Sequence, residues 1–175
     1  ENQGRELEVL IILDLDRFKS INDTLGHQVG DQVLQCLGRT LKTSIRSTDF
    51  VGRLGGDEFC IYLHDVPSKA FVQEFCGRLN ASVRENVKLA GHPEWLVTVS
   101  IGAALVGAGD DFEKVYARAD ASLYEAKKKG RNTFPPFLIS QQSVPLLFKN
   151  DAAITNSFDK IQLLGILLIF FKVLS

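Results

Sequence analysis

The 175-residue sequence predicts an α/β fold, a sheet covered by helices, on three observations. Residues Leu7 to Leu15 form an apolar, β-branched run with the character of a buried strand. Farther along, stretches with apolar residues at helical spacing alternate with more strand-like runs. Between two of those runs lies Arg53-Leu54-Gly55-Gly56-Asp57-Glu58-Phe59, whose glycines permit a tight hairpin turn and whose acids sit at its tip.

The first strand ends at Asp14 and Asp16, which share one face by the two-residue period. After the Gly30-Asp31 boundary, Val33, Leu34, Leu37, Leu41 and Ile45 predict an amphipathic helix to about Ser47. Phe50 to Leu54 and Glu58 to Leu63 are the hairpin arms. Pro67 is placed to begin a helix striped by Phe71, Phe75, Leu79 and Val83. Trp95 to Val106 reads as a strand. Asp110 or Asp111 then caps a helix through Lys129 that stops at Gly130, with Val115, Ala119, Leu123 and Ala126 facing inward. Pro135-Pro136 breaks the pattern, and Leu163 to Phe171 is intensely apolar but too short, with Lys172 beside it, for a membrane span. That segment reads as packing, as a truncated helix or as sequence foreign to the domain.

Hydrophobic residues make up 45% of the chain and charged residues 23%, which fits one soluble domain with a sizeable core and excludes disorder and collagen-like repeats. A net charge of −1 argues against broad electrostatic binding to nucleic acid or to an anionic membrane. A polyanionic ligand must therefore be met by local basic groups and metal. Cys36, Cys60 and Cys76 show no metal-ligand spacing and read as buried thiols of a reducing compartment. His64 and His92 have ordinary surface or core roles, whereas His27 lies in a dense motif. An EF-hand is excluded because Phe18 stands at the third ligand position after Asp14, and no P-loop is present.

The hairpin run is one of several spaced motifs. Upstream lie Asp14-Leu15-Asp16, Phe18-Lys19, Asn22-Asp23 and Gly26-His27-Gln28-Val29-Gly30-Asp31; downstream lie Ser100-Ile101-Gly102 and Ala126-Lys127-Lys128-Lys129-Gly130-Arg131-Asn132. From about Glu8 to Phe134 the chain resembles the GGDEF family, the diguanylate cyclases of bacterial signalling that join two GTP molecules into cyclic di-GMP. The resemblance implies a central five-stranded mixed or antiparallel sheet of the nucleotidyl-cyclase type. It divides the chain into a GGDEF domain, residues 1–134, and a hydrophobic tail of unknown role, residues 135–175. The sequence starts almost directly on a strand, with no initiating methionine or signal peptide. The Asp-x-Leu-Thr turn and helix that family members carry just before this point are expected on a longer protein.

The resemblance also implies roles. Asp14, the Leu15 carbonyl and Asp57 would hold two Mg²⁺ or Mn²⁺ ions on the triphosphate, and Asp14 and Asp57 are also the best hard-cation ligands on chemical grounds. Asp57 would accept the proton of the attacking 3′-hydroxyl, with Glu58 assisting and Lys19 stabilising the transition state. Backbone N–H groups around Phe18, with Gly55 and Gly56, would approach the nucleotide; Lys127 and Arg131 would neutralise its phosphates. Asn22 and Asp31 would read guanine, with His27 nearby on the nucleotide. Arg46 and Asp49, nine and six residues before Gly55, would form a product-inhibition site with Arg78. On spacing alone, Lys127 and Arg131 also suit a helix C-terminus, Asn22 and Asp31 suit caps, and Arg46 and Asp49 suit a surface ion pair. The expected partners are GTP, cyclic di-GMP as inhibitor and a second copy of the domain for catalysis. Neither nucleic acid nor direct membrane contact by the domain is expected, and the location is cytoplasmic, as a free protein or as part of a membrane-bound sensor. The alternative is a catalytically silent module acting as a GTP sensor or cyclic di-GMP receptor.

Overall fold

The structure is a computed structural model and describes residues 7–133, so the tail assigned to residues 135–175 lies outside the described residues. Strand β1, Leu7–Leu15, runs through the middle of the sheet because it is apolar on both faces: Val9 to Leu13 are all buried. It pairs on one side with β3, Glu58–Val66, and on the other with β4, Val99–Leu105, while β2, Phe50–Gly55, lies at the edge beside β3. Among the described residues the sheet therefore has four strands in the order β2-β3-β1-β4, all antiparallel, and not the five of the expectation.

The two faces of β1 build two cores. Val9, Ile11, Leu13 and Leu15 pack with Val33, Leu37 and Leu41 of α2, His27–Ser44, and with Val72, Cys76, Leu79 and Val83 of α3, Lys69–Asn86. Leu10 and Ile12 meet Val115, Ala119 and Leu123 of α4, Phe112–Lys128. Helix and sheet approach most closely at Gly102, where a Cβ would lie 2.2 Å from the Ala119 carbonyl oxygen and 2.3 Å from the Leu123 nitrogen. Only a hydrogen at that position admits α4.

Several boundaries differ from the sequence expectation, each for a local reason. A short helix, α1, Phe18–Leu25, follows β1 and was not expected; its entry residue Arg17 sits in the left-handed region at φ 59°. Gly26, at φ 87°, then separates α1 from α2, so α2 starts at His27 and not at the Gly30-Asp31 boundary. Helix α3 starts after Pro67 because Ser68 is the N-cap, its hydroxyl accepting from the Phe71 N–H at 3.1 Å. Of the two candidate caps on α4 the cap is Asp111, which accepts from the Lys114 N–H at 2.9 Å; Asp110 turns back to the Gly107 N–H at 2.7 Å and pairs with Arg118. Trp95 lies in a turn closed by its N–H on the His92 carbonyl, so β4 begins only at Val99, opposite Leu15 where β1 ends.

Of the three thiols only Cys76 is fully buried, and burial pushes it up to about 12; the half-buried Cys60 is pushed up to about 11 for the same reason. Among the described residues no helix is long and apolar enough to cross a membrane.

Candidate active site

The C-terminal end of β1 and the tip of the β2–β3 hairpin meet. Asp14 stands opposite Glu58 in the antiparallel register, and the Leu15 N–H donates to the Asp57 carbonyl at 3.3 Å. The tip itself turns on Gly55 and Gly56, at φ 155° and 52°, and is closed by the Arg53 guanidinium, whose Nε and Nη2 donate to the Gly56 carbonyl at 2.9 and 2.6 Å. Lys127 reaches this corner from the last turn of α4 and places its Nζ 3.1 Å from Asp14 Oδ2. Burial holds the Asp14 carboxyl above its ordinary value; Lys127 opposes that shift, while the negative charges of Asp57 and Glu58 add to it.

This corner fits a divalent cation. Three carboxylates crowd one end of the strand with one close ammonium, and the donors are the hard oxygens that Mg²⁺ and Mn²⁺ prefer. Among the described residues no three Asp, Glu, His or Cys side chains form a closed metal cage. Mg²⁺ is commonly held by one or two carboxylates and completed by substrate phosphates and water. Asp14, Asp57 and the Leu15 carbonyl are the groups that would hold it.

Helices α1 and α2 meet where Asn22 packs against Gly30. Asn22 Oδ1 is buried there without a hydrogen-bond partner, a costly state for an amide oxygen. Gly30, inside α2, makes the room: a Cβ there would fall 1.9 Å from Asn22 Oδ1 and 3.3 Å from the Phe18 ring. Phe18, Asn22 and Gly30 thus converge, whereas Lys19, His27 and Asp31 are exposed on the same pair of helices. Asp31 is not a helix-start cap, because α2 starts four residues earlier with Gly26 at its N-cap. Arg131 is exposed on the loop after α4, at φ 67°.

Two residues of the site escaped the sequence reading. Tyr116, on α4, donates its hydroxyl to Glu58 Oε1 at 3.1 Å; burial first, then the charge of Glu58, pushes it up to about 12. No motif marked it. Asp16, grouped with Asp14 by strand period, is 8% exposed and faces Thr98, Ser100 and Asn132, not the open corner.

At the end of β3 away from the tip lies a recess of about 260 Å³ bordered by Arg46, Asp49, His64, Phe71 and Arg78. The Arg46 and Arg78 guanidiniums both stand over the Phe71 ring, 5.4 and 5.9 Å from its centroid. Asp49 holds the backbone beside this recess. Its carboxylate, 9% exposed, accepts from the backbone N–H groups of Arg46 at 3.0 Å and His64 at 3.2 Å, and so fixes the loop that presents Arg46.

Residues 1–133 match the family described as "Diguanylate cyclase, GGDEF domain". The diguanylate cyclase DosC of Escherichia coli K12 is 39% identical over 130 residues, covering 74% of this chain and 28% of DosC. The diguanylate cyclase DgcS of Shewanella oneidensis is 38% identical over 125 residues, covering 71% of this chain and 40% of DgcS. This chain thus spans well under half the length of both relatives. Among solved structures, the coiled coil and GGDEF domain of DgcB from Caulobacter crescentus, in complex with c-di-GMP, superposes with a TM-score of 0.65 at 31% identity, covering 73% of this chain and 68% of that one. The active GGEEF domain of a Vibrio cholerae diguanylate cyclase gives a TM-score of 0.59 at 34% identity, covering 73% and 81%. With sequence and fold matching over the same stretch that carries the acidic corner, the chain belongs to the GGDEF domain family of diguanylate cyclases.

Proposed function

We propose that this chain is an active diguanylate cyclase that condenses two GTP molecules into cyclic di-GMP and releases two pyrophosphates. The observation that carries this reading is the convergence of Asp14, Asp57 and Glu58 with Lys127 at one corner, together with a buried Asn22 Oδ1 that has no hydrogen-bond partner. Asn22 is the candidate reader of the guanine edge, and Gly30 makes room for its amide. Lys127 and Arg131 take the phosphate end, with Lys19 exposed at the start of α1 to meet charge developing at the α-phosphorus. A divalent cation at Asp14, Asp57 and the Leu15 carbonyl would neutralise phosphate charge and make the 3′-hydroxyl more acidic.

Each domain binds one GTP, so two copies must meet about a twofold axis for each 3′-hydroxyl to attack the other nucleotide in line. Asp57 is the proton acceptor for that hydroxyl, and Glu58, held through one oxygen by Tyr116, flanks it. The Arg46–Phe71–Arg78 recess is the site for product feedback: a guanidinium forks onto guanine, and a base stacks on the ring. The relatives solved with c-di-GMP support this ligand class. We assign the domain to the cytoplasm, where GTP is available.

The test is product analysis after incubation with GTP and Mg²⁺, for wild type and Asp57→Ala. Cyclic di-GMP from the wild type and at least ~100-fold less from the variant, at unchanged circular dichroism, supports the assignment. Near-equal rates from both would end it. Nucleotide binding without product from either would favour the silent-sensor alternative.

A further inference from the structure

Arg131 is presented by a constrained stretch of backbone. Gly130, Arg131 and Asn132 take φ values of 108°, 67° and 49°, three successive residues in the left-handed region, and two of them are not glycine. Such a loop persists only where its surroundings hold it. The Arg131 N–H donates to the Ala126 carbonyl at its entry, and the Ile101 N–H donates to the Thr133 carbonyl at its exit. Between them, the Asn132 N–H donates to Asp16 Oδ2 at 2.9 Å. The same carboxylate, almost fully buried, accepts from Thr98 Oγ1 and Ser100 Oγ, each at 2.7 Å. One side chain therefore ties the end of β1, the start of β4 and the loop after α4. It does so two residues beyond Asp14, with the buried Leu15 between them.

We propose that Asp16 is a positioning residue: it holds the Gly130–Asn132 loop in the left-handed conformation that aims Arg131 at the triphosphate, in step with Asp14 and Lys127. This rests on the reading of the corner as a GTP site, and Asp16 itself touches no substrate. The chemistry of the contact distinguishes the role from simple core packing. An asparagine at position 16 keeps an oxygen for the Asn132 N–H and the Thr98 hydroxyl, and the Ser100 hydroxyl can rotate to accept from its amide nitrogen. An alanine keeps none of this. Thr98→Val removes one buried hydrogen bond but leaves the loop's tie to Asp16 intact.

The experiment compares the full chain with Asp16→Ala, Asp16→Asn and Thr98→Val. It measures affinity for inorganic tripolyphosphate with Mg²⁺ by calorimetry, KM and kcat for cyclisation, and Tm. Asp16→Ala is expected to weaken tripolyphosphate and raise the GTP KM about tenfold, with kcat changing far less, as for lost alignment of one phosphate contact. Asp16→Asn is expected to recover most of that affinity, and Thr98→Val to lower Tm while leaving it unchanged. If Asp16→Ala does not fold, replacing Asn132 by its α-hydroxy analogue turns the amide into an ester, which removes the N–H without fixing φ and leaves the buried cluster in place; it is expected to show the same loss. Wild-type affinity in whichever of the two folds, or an equal loss in Thr98→Val, overturns the proposal. Tripolyphosphate binding by a wild type that makes no cyclic di-GMP would defeat the cyclase reading alone, since the binding series still decides the role of Asp16. No binding by the wild type would overturn both.

Discussion

Gly30 and Asn22 share one space: a Cβ on Gly30 would fall 1.9 Å from the Asn22 amide oxygen, itself buried without a partner. Gly30 lies within α2, where alanine is intrinsically favoured by about 1 kcal/mol. Its presence is thus unfavourable for the helix and makes sense as room for the Asn22 side chain. Gly30→Ala is expected to hold or raise Tm while raising the GTP KM by ~tenfold or more, because the side chain that must move is the proposed base reader. A lower Tm with unchanged KM would mark the gap as ordinary packing.

The acidic corner predicts a pH and metal dependence. In the folded protein Asp14 keeps its proton to a higher pH than the ordinary 3.8, chiefly through burial. Between those values the native state binds more protons than the unfolded chain, so stability falls as pH rises through that window and stays reduced above it. Metal-free Asp14→Asn is therefore expected to lose this slope and to melt no lower than wild type at neutral pH. Mg²⁺ is expected to raise the wild-type Tm and leave the variant's unmoved. An equal Mg²⁺ shift in both would place the cation elsewhere.

Gly102 tests the contact between α4 and the sheet. An added methyl meets backbone of Ala119 and Leu123, which cannot rotate away, so Gly102→Ala is expected to cost about 3 kcal/mol in urea unfolding. Because Lys127 lies on α4, its hold on Asp14 would loosen as well. A loss under about 0.5 kcal/mol would show that α4 shifts freely.

Arg46→Ala is expected to relieve inhibition by cyclic di-GMP by more than ~tenfold at unchanged initial velocity, since it removes one of two guanidiniums over Phe71. Asp49→Ala should behave differently: it removes the acceptor for two backbone N–H groups and is expected to lower Tm as well as inhibition. Inhibition of Arg46→Ala equal to that of wild type would leave Arg46 as a surface residue only.

What was legible in the sequence was what local pattern carries. The bounds of β1 follow from a mostly apolar run, and the hairpin tip follows from two glycines. Asp14, Asp57, Lys127 and Asn22 could be named because they stand in spaced motifs. Features set by contacts distant in sequence were not legible. Asp16 and Asn132 meet across 116 positions, and Tyr116 and Glu58 across 58, so neither pair leaves a local trace. Helix α1 was missed because its polar, eight-residue stretch buries only Ile21. Gly30 was read as a boundary because glycine marks turns more often than close approaches, and only the three-dimensional position of Asn22 separates the two.

Joining two GTP molecules takes two copies of this domain, which is tested by the initial rate of cyclic di-GMP formation against protein concentration at saturating GTP and Mg²⁺. The rate is expected to rise more than linearly at low concentration, approaching the square of the protein concentration, and to vanish in Asp57→Ala. A strictly linear rate with no sign of a dimer, or no cyclic di-GMP at any concentration, would contradict it.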